Sequence, residues 1–110
     1  MKKYEVKLSV SQWRKSDWAY RDNIVDIWQV TKSKAAEWIK GIKQRTTDLF
    51  GIVLDDLREE IAKSDYQTFD NEWTITVTET DDNDAEKVLI KKSAWESKIA
   101  KEWFNNDFED

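Results

Sequence analysis

Residues 72–80 read Glu72-Trp73-Thr74-Ile75-Thr76-Val77-Thr78-Glu79-Thr80, with Trp73, Ile75 and Val77 alternating with threonines. A period of two sends alternate side chains to opposite faces of a strand, and β-branched residues suit the pleated sheet. The stretch predicts a strand with one apolar face and one hydroxyl-rich face. Asp81-Asp82-Asn83-Asp84 then reads as a turn. Residues 3–13 carry the same alternation, Tyr4, Val6, Leu8 and Val10 against Glu5, Lys7 and Ser9. Two half-buried strands of this kind need neighbours and a covering layer.

The neighbours lie on either side. Asn23–Lys32 is rich in β-formers (Ile24, Val25, Ile27, Trp28, Val30, Thr31) and predicts a second strand, making a hairpin with residues 3–13. The connection 14–22 has no glycine, so either the strands extend into it or it forms a wide loop. Ser33 predicts the N-cap of a helix to about Arg45, with Ala35, Trp38, Ile39 and Ile42 on one face. Thr47 or Asp48 restarts a second helix to about Lys63, its stripe made by Leu49, Phe50, Val53, Leu54, Leu57 and Ile61.

Residues 85–105 admit two readings, because Val88, Trp95, Ile99 and Trp103 could share one helical face. Ser93-Ala94-Trp95-Glu96 has the form of a capping box, Ser followed three residues later by Glu. It splits the segment into a strand at 86–92 and a helix at 94–105. Val30-Thr31-Lys32-Ser33 and Ile90-Lys91-Lys92-Ser93 echo each other at the same junction, so two related hairpin–helix units could share one sheet. The expected fold is α+β in the order ββααββα: a single domain over 1–105, a mainly antiparallel four-stranded sheet, helices on one face, and a frayed tail at 106–110.

Charge is sorted along the chain. Residues 1–47 hold eleven Lys/Arg and five acids, residues 48–86 two bases and thirteen acids, and the remainder balances at five each. Sign asymmetry of this kind points to charged partners if the segments stay apart in the fold. The 110 residues contain neither cysteine nor histidine and only two glycines. That removes disulfides, imidazole bases, Cys and Ser–His nucleophiles, the usual zinc ligands and phosphate-cradling loops. No metal, cofactor or catalysis is expected. The charged N-terminus lacks the form of a signal peptide, and no stretch approaches about 20 apolar residues, so a cytoplasmic, membrane-free protein is expected.

Two surfaces are candidates for binding. Asp55, Asp56, Glu59 and Glu60 stack on one helical face, and Asp81, Asp82 and Asp84 crowd the following turn. Read alone, such acids form a solvated face, a hard-metal site or an acid–base pair. A calcium loop opening at Asp82, Asp84 and Glu86 fails, because Lys87 holds the glycine place and Ser93 the glutamate place. Carboxylates so spaced can also imitate phosphates and occupy a basic groove on a nucleic-acid-handling protein. In size and charge, though in no motif, the chain is similar to small acidic inhibitors of phages and mobile elements, anti-CRISPR proteins among them. The second surface is the hairpin connection, with Trp13, Arg14, Lys15, Trp18, Tyr20 and Arg21 in nine residues. Trp, Tyr and Arg dominate binding hot spots, and the same mix suits single-stranded nucleic acid. Trp13 and Trp18 could instead fold back as lids on the core. Trp28, Trp38, Trp73, Trp95 and Trp103 sit in periodic elements and are expected in the core, and Lys34, Lys40 and Lys43 form a basic helical face.

The expected function is that of a non-enzymatic interaction protein, most specifically an inhibitor docking its acidic region into a basic groove. A single-stranded nucleic-acid-binding module using residues 12–21 is the alternative. The oligomeric state is left open, a homodimer included.

Overall fold

The computed structural model describes residues 1–44, 55–64, 66 and 68–104. Its elements are β1 (Lys3–Arg14), β2 (Ala19–Val30), α1 (Lys32–Gln44), α2 (Asp55–Lys63), β3 (Glu72–Thr80), β4 (Glu86–Trp95) and α3 (Glu96–Phe104). The four strands form one antiparallel sheet in the order β2-β1-β3-β4. The two alternating strands therefore lie side by side at the centre, Val6 opposite Val77 and Leu8 opposite Ile75. All three described helices lie on the face these apolar residues share.

The core is what the alternation demands. Tyr4, Val6, Leu8, Val10, Trp73, Ile75 and Val77 are buried from the strands. Ala35, Trp38 and Ile42 close over them from α1, Leu57 and Ile61 from α2, and Ile99 and Ala100 from α3. Trp28 of β2 stacks on Trp38 of α1 at 5.7 Å between ring centroids, fastening the edge strand to the helix layer. The start of the expected second helix, with Leu49, Phe50, Val53 and Leu54, lies outside the described residues, as do Arg45, the Trp103 side chain and the tail at 106–110.

Three junctions differ from the sequence reading. β2 begins at Ala19 rather than Asn23, so the strands extend and leave a four-residue connection, Lys15–Trp18. The cap of α1 is Thr31, not Ser33: its hydroxyl accepts the Lys34 N–H at 3.2 Å and its carbonyl the Ala35 N–H at 2.9 Å. Ser33 already lies inside the helix. The capping box at Ser93–Glu96 does not form, because β4 continues to Trp95. The Ser93 hydroxyl hydrogen-bonds to the Thr74 hydroxyl across the sheet at 2.8 Å. Glu96 turns inward instead, 3% exposed, accepting from the Trp73 indole N–H at 2.9 Å and the Ser64 hydroxyl at 2.7 Å. A buried carboxylate that receives two donors outcompetes a solvent-exposed cap. Asp70 takes over at the start of α3, accepting the Ser97 N–H at 3.0 Å.

Each hairpin carries one bulge. Leu8 pairs with Asp26 and Ser9 with Ile24, leaving Val25 unpaired; Val77 pairs with Ile90 and Thr78 with Val88, leaving Leu89 unpaired. An extra residue reverses the side-chain parity along the rest of the strand. Ile27 and Ile24 therefore both fall on the face away from the helices, Ile27 opposite Lys7 and Ile24 opposite Ser9.

Candidate functional site

The face of the sheet away from the helices has no described element over it. Its floor is read directly from the register: Lys7, Ser9 and Ser11 on β1, Thr76, Thr74 and Glu72 on β3. With Asp22, Asn23 and Ile24 on one side and Lys91 and Ser93 on the other, they line an open groove of about 530 Å³.

Aromatic rings gather at one end of this groove. Trp13 is the penultimate residue of β1, Tyr20 stands opposite it on β2, Trp18 sits in the turn between the strands, and Trp95 ends β4 opposite Glu72. The rings meet edge to face: Trp13–Trp18 at 6.1 Å, Trp13–Tyr20 at 5.3 Å and Tyr20–Trp95 at 6.3 Å. That geometry aligns positive ring edges with negative ring faces. The Tyr20 hydroxyl donates to the Asp70 carbonyl at 3.1 Å, and the Trp13 backbone N–H donates to the Asn71 side chain at 3.0 Å. The cluster is thus tied to the loop that precedes β3.

Trp13 is half-buried within the cluster, and its indole N–H is buried with no acceptor among the described residues. Trp18 stands 73% exposed. Arg14 and Lys15 are exposed, and Arg21 pairs with Asp17 at 2.8 Å. Of the tryptophans expected in the core, Trp38 and Trp73 are there and Trp28 packs against it, but Trp95 is 42% exposed and belongs to the tip. The helical spacing of Trp95, Ile99 and Trp103 misleads here, since Trp95 ends a strand. The alternation Ile90, Lys92, Ala94 against Lys91, Ser93, Trp95 is the signal that would have found it.

The backbone at the tip is under strain. Trp18 adopts φ 51°, in the left-handed region. There the Cβ of an L-residue crowds the carbonyl, costing roughly 1–2 kcal/mol, and a bulky residue is an outlier.

The acidic candidates are less uniform. Glu59 and Glu60 are exposed on α2, while the side chains of Asp55 and Asp56 lie outside the described residues. Asp81 spends its carboxylate on its own turn, accepting the N–H groups of Asn83 at 2.8 Å and Ala85 at 3.0 Å. Asp82 pairs with the Met1 ammonium, and Asp84 is exposed. Among the described residues the ion pairs are Met1–Asp82, Lys2–Glu79, Arg21–Asp17 and Lys34–Glu37. None of them joins Lys34, Lys40 or Lys43 to Glu59 or Glu60, while Arg45 and the side chains of Asp55 and Asp56 lie outside the described residues; Lys2, just before β1, does meet Glu79 of β3. The Lys2 ammonium, hydrogen-bonded to Glu79, holds that carboxyl below the usual carboxylate range and is itself raised.

Among the described residues no group of three or more acids could hold a metal ion. No helix is long and apolar enough to cross a membrane. No family model, no curated protein and no solved structure matches the chain.

Proposed function

We propose that this is a non-enzymatic interaction protein, of the small-inhibitor kind, that grips a partner protein through the aromatic tip of its open sheet face. The observation that carries the reading is Trp18. A turn position that favours Gly, Asn or Asp holds the largest side chain instead, largely in water and against the backbone preference. A residue that breaks a local rule for a small packing gain supports a functional reading of its position. Tyr20 and Trp95 flank it, and Arg14, Lys15 and Arg21 supply the remaining hot-spot chemistry.

Charge around the rings favours protein over nucleic acid. Arg14, Lys15 and Arg21 are set against Asp17, Asp22, Asp70 and Glu72. A phosphate backbone tracking past the tip would meet more anions than cations, while single-strand binding needs a basic groove. Glu59 and Glu60 support an acidic second contact on a partner's basic groove, as in a nucleic-acid-handling protein, because among the described residues no ion pair links them to α1. The reading assigns no catalysis to a chain without histidine or cysteine.

Affinity capture with three proteins tests it. A partner held by the wild type and lost by Trp18→Ser, and weakened by the pair Glu59→Lys and Glu60→Lys, supports the reading. Tryptophan quenching by a single-stranded oligonucleotide, steep in salt and absent in Trp18→Ser, would replace the partner protein with nucleic acid.

A further inference from the structure

We propose that the open face of the sheet pairs with the same face of a second copy of the chain. The proposal goes beyond the aromatic tip's partner: Trp95 stands at the border of both surfaces, and the turn Lys15–Trp18 lies past the rows that would pair. Its basis is the order of residues along the groove. Lys7 and Lys91 stand in one row across the sheet, each next to Thr76 of β3. Four positions further along β1, β3 and β4 the row contains Asp22 and Glu72, either side of Ser11. Between them runs an uncharged row formed by Ile24, Ser9, Thr74 and Ser93.

A two-fold axis along that middle row is self-complementary. It carries the basic row of one copy over the acidic row of the other. Lys7 then falls opposite Ser11 of the partner copy, offset sideways by one strand, about 4.8 Å, from both Asp22 and Glu72 of the partner copy, within reach of a lysine side chain across the two packed faces. Lys91 falls opposite Trp95 of the partner copy, where an ammonium over an indole face is attractive, with Glu72 of the partner copy one strand away. Ile24 lies on the axis and meets itself. The four charges of these two rows cancel within each face, Glu5 one row beyond Lys7 accepts from the Gln29 amide at 3.0 Å, and the pairing satisfies the isologous rule that the same patch serves both sides.

The face approaches the extent of a standard interface and carries apolar side chains for it. Four strands at about 4.8 Å, ten residues long at about 3.4 Å, span roughly 650 Å² before side-chain relief. A standard interface takes about 800 Å² per partner. Ile24, Ile27, Val88 and Trp95 are all exposed large apolar side chains on it. Among the described residues no third layer shields the polar floor.

Sedimentation velocity over a concentration series tests the pairing with charge reversals. The wild type is expected at twice the chain mass. Lys7→Glu alone and Glu72→Lys alone are expected to weaken association at least tenfold while circular dichroism stays native. An equimolar mixture of the two is expected to recover the dimer, because it places opposite charges across both equivalent contacts. Sheets packed face to face lie about 10 Å apart. Ile24→Cys, in a chain without native cysteine, should therefore link copy to copy with a short bis-maleimide, while Lys40→Cys on the outer side of α1 should not. A single-chain mass at every concentration overturns the proposal. So does a dimer indifferent to both reversals, or a mixture that stays monomeric while each variant is folded.

Discussion

The two hairpins of this sheet make the same local demand and answer it with different residues. Each places one non-glycine residue at positive φ shortly before its second strand, Trp18 at 51° and Asp84 at 61°. In the second hairpin the demand is met by a residue type that tolerates it, and the turn is closed from within: Asp81 accepts two backbone N–H groups, and the Asp84 N–H returns to the Asp81 carbonyl at 3.1 Å. In the first, a tryptophan occupies the strained place and extends into water beside Trp13. The acidic turn, which looked like a binding surface in sequence, uses much of its charge to hold itself. The aromatic turn gives up stability and gains exposed ring area.

Substitutions can break or sharpen that contrast. The largest effect is expected at the root of the second hairpin: Glu96→Ala leaves the Trp73 and Ser64 donors without their acceptor and should cost about 2–4 kcal/mol in urea unfolding. A cost under about 0.5 kcal/mol there would mean the carboxylate does not brace the fold. Asp81→Ala should cost about 1–2 kcal/mol, because both turn N–H groups lose their partner, and should leave partner capture unchanged. Trp18→Asn is the reverse case. Relief of the left-handed backbone offsets the lost edge contact, worth about 0.5–1.5 kcal/mol. Stability should therefore stay within about 1 kcal/mol while capture is abolished.

The smallest effect is a pH slope. The Glu79 carboxyl is depressed in the folded chain by its hydrogen bond from Lys2, so its stabilisation is present above the ordinary carboxylate pKa and fades as acid protonates it. Glu79→Gln should lower thermal stability slightly near neutrality, flatten its fall below the ordinary carboxylate range, and converge with the wild type once the carboxyl is protonated. An unchanged acid slope would show the pair to be thermodynamically silent.

The central strands and the layer that covers them were legible because their side chains obey a period of two or 3.6 without interruption, from Tyr4 to Val10 and from Trp73 to Val77. The edges were not. β2 runs from Ala19 through exposed, mixed residues, and its bulge at Val25 breaks the parity that would have shown Ile24 facing away from the helices. Trp95 falls at helical spacing from Ile99, so a strand residue resembled a helix one. Capping chemistry misled twice, at Ser33 and Ser93, because a cap is decided by where the preceding strand stops. At Ser93 the β4 ladder carries two residues further, with Ser93 paired to Thr74. For the binding surface, Trp13, Trp18, Tyr20 and their flanking cations could be read from nine adjacent residues. Trp95, Asp70 and Glu72 join them through the sheet order alone.

The account rests on the exposed indole at position 18 being there for a partner. Calorimetric titration of the captured protein against wild type and Trp18→Asn measures this directly. A hot-spot indole predicts a loss of at least about 2 kcal/mol, near a thirtyfold rise in Kd, with the fold intact. Equal affinities for the two proteins would contradict it.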